Sequence, residues 1–188
     1  MARVRSSEKR DAILQAAVHE IAGMGLGAPT AKIARRAGIA TGTLFTYFPN
    51  KEELLNELYL ELKVEVYARI NASFPHQGSL ELRARHIWSS FLDWSIEFPE
   101  KRKVSLQLNV SDQITPATRA RAADGRGTID TTLSELETRG ALLGLPAGFA
   151  AATMAAMQEA TMEFIAKQPT QREELIERTF QVFWNAVR

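Results

Sequence analysis

Apolar side chains recur along this chain with the period of an α-helix almost from end to end. In the first segment Ile13, Leu14, Ala17, Val18 and Ile21 fall on one helical face. Ser7 is placed to cap the start of that helix, and Gly23, Gly25 and Gly27 to end it. A short piece with Ile33, Ala34 and Ala37 follows, and Pro29 sits near its start, where a missing N–H does no harm. Gly38 supplies a turn. A second short piece carries Leu44, Tyr47 and Phe48, and Pro49 stops it. Asn50 opens a long fourth helix, with Glu53 three residues on as in a capping box. Leu54, Leu55, Leu58, Leu62 and Val66 form its apolar stripe.

The pattern continues beyond a loop at Pro75–Gly78. It predicts helices over 79–98 and 100–111, separated by Pro99, and over 116–139 with a break at Asp124–Gly127. Helices over 147–167 and 171–187 follow, separated by Pro169. No alternating strand pattern and no internal repeat appears. The expected fold class is all-α: a three-helix head over 1–51 and a larger helical body over 52–188.

Charge sharpens that division. Residues 1–51 hold eight Lys/Arg against three acids, a net +5, and the remainder holds fifteen against nineteen, a net −4. A basic head on an acidic body fits a head that meets a polyanion, although a solvated basic face has the same composition. The absence of cysteine excludes disulfides, thiolate nucleophiles and cysteine-bound metals, and fits a reducing cytoplasm. No window reaches the roughly 18 apolar residues of a membrane span, and no secretory signal is visible, so a cytoplasmic protein with no membrane partner is expected.

The two short helices, at 29–37 and 41–48 with Gly38-Ile39-Ala40 between them, have the form of a helix-turn-helix. Ala34 is small enough for close helix approach, and Gly38 can take the positive φ of a helix-ending turn. Ile39 and Leu44 can plug the space between the helices. Thr41, Gly42, Thr43, Thr46 and Tyr47 are then left to point outward, where a recognition helix presents its base-reading side chains. Plain packing between two short helices would show the same spacing.

Residues 33–54 read I-A-R-R-A-G-I-A-T-G-T-L-F-T-Y-F-P-N-K-E-E-L. This string resembles the N-terminal pattern of the TetR (tetracycline-repressor-like) family, I-A-x-x-A-G-V-S-x-G-T-L-Y-x-Y-F-x-x-K-E-E-L. The resemblance covers about residues 7–62, and it implies a dimeric DNA-binding regulator, by family default a repressor released from a palindromic operator by a small-molecule effector. Thr43 and Tyr47 match positions that touch phosphates or bases, Lys51 a phosphate-contacting lysine, and Gly42 a glycine that allows close backbone approach to DNA. Thr41, Phe45 and Thr46 occupy the variable positions of operator choice, and Thr30 could reach a phosphate from the preceding helix. Three departures stand out. Ala40 replaces a usual capping Ser, so that Thr41 could cap instead. Phe45 replaces a usual Tyr, and Ala28 stands where Ser or Thr is common. Arg3 and Arg5 read either as a minor-groove arm or as a charged tail.

In that family the last two helices dimerise and the body often encloses a ligand. Here Ala155, Met162, Leu175, Thr179 and Phe183 are candidates for a homodimer interface, although such faces can equally pack within one subunit. Trp88, Phe91, Trp94, Met154 and Met157 are candidates for an effector pocket, and the same spacing also suits a plain core. Neither cofactor nor metal is expected: His19, His76 and His86 are scattered, and no nucleophile elbow, phosphate-binding loop or paired-carboxylate motif is present. An enzyme is therefore not expected. A DNA-binding structural protein without an effector is the alternative that shares the same head.

Overall fold

The computed structural model describes residues 6–188; Arg3 and Arg5 lie outside the described residues. The fold is all-α, as the periodicity predicts, with no strand among the described residues. The helices are α1 (Ser7–Met24), α2 (Thr30–Arg36), α3 (Thr41–Tyr47), α4 (Lys51–Asn71), α5 (Leu80–Glu97), α6 (Pro99–Asn109), α7 (Pro116–Ala123), α8 (Gly127–Glu137), α9 (Phe149–Lys167) and α10 (Arg172–Val187). The break expected near Gly125 is a single 3-10 turn, Asp124–Arg126, between α7 and α8. Two end signals differ from expectation. Ser6, not Ser7, precedes the first helical residue, and its side chain makes no capping bond. Gly23 lies inside α1, which Gly25 ends with φ 76°.

The chain forms two compact units. One comprises residues up to Glu65 together with Phe98–Ala123. In it α1 packs on α2 and α6, and α2 on α3. Its core is aliphatic: Ile13, Ala17, Ile21, Ile33, Ala34, Leu44, Leu54, Leu55, Val104 and Leu108 are fully buried. Ionic ties hold the helices in register around that core. The Arg10 guanidinium on α1 lies 2.7 Å from Glu57 and 3.3 Å from Glu61, one turn apart on α4, and Lys101 on α6 lies 2.7 Å from Glu65. Asn56, buried in α4, fixes the loop between α6 and α7. Its amide nitrogen donates to the carbonyls of Glu52 (2.8 Å) and Gln113 (2.9 Å), and its carbonyl oxygen accepts the Thr115 N–H (3.0 Å). A buried amide with its donors and acceptor engaged specifies one arrangement, because every alternative leaves polar atoms unsatisfied.

The second unit comprises Val66–Glu97 and Asp124–Arg188. Here α5 packs on α8, α9 and α10, and α9 on α10. Its centre is Trp88 of α5, which is fully buried. The indole stacks on Phe183 at 5.7 Å between centroids and meets Phe180 edge-on at 6.0 Å. Its N–H donates to the Ile176 carbonyl at 3.1 Å, and the Gln158 amide donates to the Trp88 carbonyl at 3.3 Å. One residue thus joins three helices by area and by hydrogen bonds. The Arg85 guanidinium covers the Phe180 ring at 4.2 Å and pairs with Glu81 and Glu177.

Phe183→Ala is expected to lose about 3–5 kcal/mol of stability in urea unfolding, the range for truncating a large buried aromatic. A loss below about 1 kcal/mol would show that the ring does not support the core.

Candidate nucleic-acid interface

The angle between α2 and α3 is set by the turn that follows α2. Gly38 takes φ 69°, a conformation that disfavours any residue with a Cβ. Its N–H donates to the Arg35 carbonyl at 3.1 Å, and the Ile39 N–H reaches the Ala34 carbonyl at 3.0 Å. This pair of bonds is a Schellman motif, which satisfies carbonyls that the helix end would leave open. Ala34 and Leu44 are fully buried between the helices, and Ile39 is half-buried, so all three serve as the sequence predicts.

Helix α3 begins at Thr41 with Ala40 as its N-cap. Thr41 therefore does not take over the capping role. The Thr43 N–H donates to the Ala40 carbonyl at 2.9 Å, and no side chain caps the helix. Leu44 and Phe48 face the core, so by helical geometry Gly42, Phe45 and Thr46 lie on the far side, and all three are exposed. Thr41, Thr43 and Tyr47 flank that face, half-buried. The Thr46 hydroxyl donates back to the Gly42 carbonyl at 3.2 Å. The Tyr47 hydroxyl accepts the Ser6 N–H at 3.2 Å, which ties the end of α3 to the start of α1.

Gly42 has no structural reason to be glycine. A Cβ built there would meet nothing within 4 Å, and its φ is not positive. Glycine in a helix is destabilising by roughly 0.5–1 kcal/mol relative to alanine, so at this position the fold bears a cost without return from its own packing.

Lys51 is the first residue of α4 and is half-buried. Burial pushes its ammonium below the usual lysine range. It adds positive charge to the end of a helix whose free N–H groups already carry partial positive charge. Asn50 caps this helix: its side-chain oxygen accepts the Glu53 N–H at 2.8 Å, one half of the predicted capping box. Thr30 is the first residue of α2, half-buried, behind Pro29. Arg36 is committed to α1 through Glu20 at 2.6 Å, and this hydrogen bond holds the Glu20 carboxyl below the usual range. Arg35 is exposed.

The sequence-based reading overlooked Arg10 and Asn56. Arg10 could have been found from Glu57 and Glu61, whose i, i+4 spacing sets two carboxylates on one face. Asn56 gave no signal, because its partners are backbone atoms of a distant loop. In the second unit Trp88, Trp94 and Met154 are buried, Phe91 and Met157 half-buried. Of the side chains expected at an intersubunit face, Ala155 is exposed and Leu175 and Thr179 are half-buried. Met162 and Phe183 are buried within the subunit and serve its own core, because Phe180, Phe183 and Val187 form the inward stripe of α10. The outward stripe carries Val182, 59% exposed, and on α9 Phe164 is 50% exposed.

Two short helices at this turn, with an outward face of small and hydroxyl side chains on a basic head, define a helix-turn-helix DNA-binding protein. Residues 13–58 match the family model for bacterial regulatory proteins of the tetR family. Solved structures agree over the whole chain. A tetR family transcription regulator from Shewanella sp. PV-4 is 30% identical, with 97% of this chain and 98% of that one covered at a TM-score of 0.81. A TetR family transcription regulator from Marinobacter aquaeolei VT8 is 25% identical, with 96% and 95% covered at 0.82. The TetR-like regulator LfrR from Mycobacterium smegmatis, solved in complex with proflavine, shares the fold at 23% identity, 97% and 98% coverage and a TM-score of 0.71. The chain belongs to the TetR family of DNA-binding transcriptional regulators.

Asn50→Ala is expected to destabilise the protein by about 0.5–2 kcal/mol, the value of an N-cap. Amide exchange should rise first at Lys51–Leu54. Unchanged exchange there would show that the cap does not hold the first turn.

Proposed function

We propose that this protein is a homodimeric repressor that holds a palindromic operator with its two heads and leaves it when a small molecule binds the body. The observation that carries the DNA-facing part is Gly42: the fold gains nothing from a glycine there, whereas a duplex approaching α3 closely would. Lys51 supports it, since a partly desolvated cation at a helix N-terminus is suited to a phosphate. In this reading Lys51, Thr30 and Tyr47 fix the register on the backbone, and Thr41, Thr43, Phe45 and Thr46 carry the choice of sequence. The functional division is the head, 1–51, and the body, 52–188.

Dimerisation would use the outward stripes of α9 and α10. Leu175, Thr179 and Val182 lie at i, i+4 and i+7 on α10, and Ala155 and Phe164 offer exposed apolar area on α9. A twofold dimer presents two heads to two half-sites. For the effector, the α5 and α9 side chains Phe91, Trp94, Met154 and Met157, with Trp88 behind them, are the candidates, the methionines being adaptable in shape. That LfrR was solved with proflavine gives a precedent within the fold for a small-molecule ligand. α4 is one unbroken helix from Lys51 to Asn71, so a displacement of its far end would be felt at Lys51. The effector must favour the arrangement that does not fit DNA, or it shifts nothing.

Selection of genomic fragments by the purified protein at near-physiological salt tests the reading; enrichment of one short palindrome is expected, and failure of the folded protein to enrich any fragment would oppose it. On the selected site, Lys51→Ala should lower the slope of log K against log salt by about one phosphate contact, roughly 0.9. An unchanged slope would remove Lys51 from the interface. Gly42→Ala should raise stability by about 0.5–1 kcal/mol while weakening operator binding at least tenfold. A stabilised variant with full affinity would refute close approach at Gly42.

A further inference from the structure

The composition of α3 limits how it can read bases. Its seven residues, Thr41–Tyr47, include no Arg, Lys, Asn, Gln, Asp or Glu. The bidentate pairings that identify guanine (Arg or Lys) and adenine (Asn or Gln) in the major groove are therefore closed to it. Its hydroxyls are also partly spent. The Thr46 proton goes to the Gly42 carbonyl, and the Tyr47 oxygen takes the Ser6 N–H.

On the outward face itself, Gly42 and Phe45 carry no hydrogen-bonding side chain. Gly42, Phe45 and Thr46 stand at i, i+3 and i+4, neighbours on one helical face. The missing side chain at 42 leaves open space, with no atom within 4 Å of where a Cβ would be. Phe45, 41% exposed, and Thr46, also exposed, lie one helical turn further on. The Phe45 ring thus offers apolar surface beside an open stretch of backbone. In the major groove the one apolar group that distinguishes a base pair is the C5-methyl of thymine.

Resting on the reading of α3 as the groove-entering helix, we infer that this protein selects its operator by thymine methyl groups, received over the open backbone at Gly42 and beside the exposed Phe45. Among the residues of sequence choice, Phe45 is the one that reads the methyl. The head's charge supplies affinity for any duplex, and the methyl contacts choose among duplexes. The half-site therefore carries A·T pairs, thymine facing Phe45, where α3 meets the bases.

Uracil substitution tests this directly, since it removes the methyl and leaves pairing and backbone charge unchanged. Each thymine of the selected operator is replaced singly by uracil, and affinity is measured for the full-length protein and for Phe45→Ala. One or two positions per half-site should lose about fourfold per methyl, the equivalent of one buried methylene-sized group. Phe45→Ala should bind the thymine operator correspondingly more weakly and no longer distinguish thymine from uracil at those positions. Phe45→Leu, which keeps apolar bulk, should retain part of the discrimination. Uracil tolerated at every position by the unmodified protein would overturn the inference while leaving DNA recognition intact. An equal uracil penalty in Phe45→Ala would overturn the role of Phe45. Failure to prefer any sequence over random duplex would overturn both the inference and the reading beneath it. Circular dichroism of the variants separates each outcome from loss of folding.

Discussion

The helix-turn-helix depends on one backbone conformation, the left-handed turn at Gly38. It closes the end of α2, starts the path to Ala40 and fixes the direction in which α3 leaves. Ala34 and Leu44, both fully buried, are small and apolar side chains suited to close packing of the two helices. Once α3 is held at that angle, which of its residues face outward follows from helical geometry alone. Seven residues of helix have little stability of their own, so α3 is held by its contacts and not by propensity. The Tyr47–Ser6 bond at one end and the buried Phe48 beyond it serve the same purpose.

Two features of the head run against local helix preference. Gly42 weakens a helix that has no side-chain cap, and Lys51 sets a cation at a positive helix end. Elsewhere in the same unit Asn50 caps α4, Arg10 answers Glu57 and Glu61, and Lys101 answers Glu65, although Gly23 inside α1 is as free of packing against a Cβ as Gly42 is.

The fold was legible because helical periodicity is a strong signal and this chain has little else. The break at Asp124–Arg126 was readable from paired glycines, and the α2–α3 turn from Gly38. What faces inward was less legible in the last two helices. Phe183 and Val182 are neighbours of similar hydrophobicity, yet one lies in the core and the other at the surface. Periodicity gives the stripe but not its direction when both faces of a helix carry apolar residues. The outward face of α3 was readable, since Leu44 and Phe48 leave only one side. That the hydroxyls of Thr46 and Tyr47 are engaged was not, because those bonds depend on local side-chain geometry. Asn56 was invisible for the same reason, its role being created by a loop nearly sixty residues away.

That loop changes what kind of variation the protein can inherit. Surface connections ordinarily tolerate insertions and deletions, and the run from Leu143 to Phe149 is exposed throughout. The connection between α6 and α7 differs. Gln113 and Thr115 are both held by Asn56, and Arg119 holds the carbonyls of Asn109 and Ser111 at 3.0 and 2.9 Å. A single residue gained or lost there would break the register with α4 five residues from Lys51. Among descendants of this chain, length in that stretch should drift far more slowly than sequence.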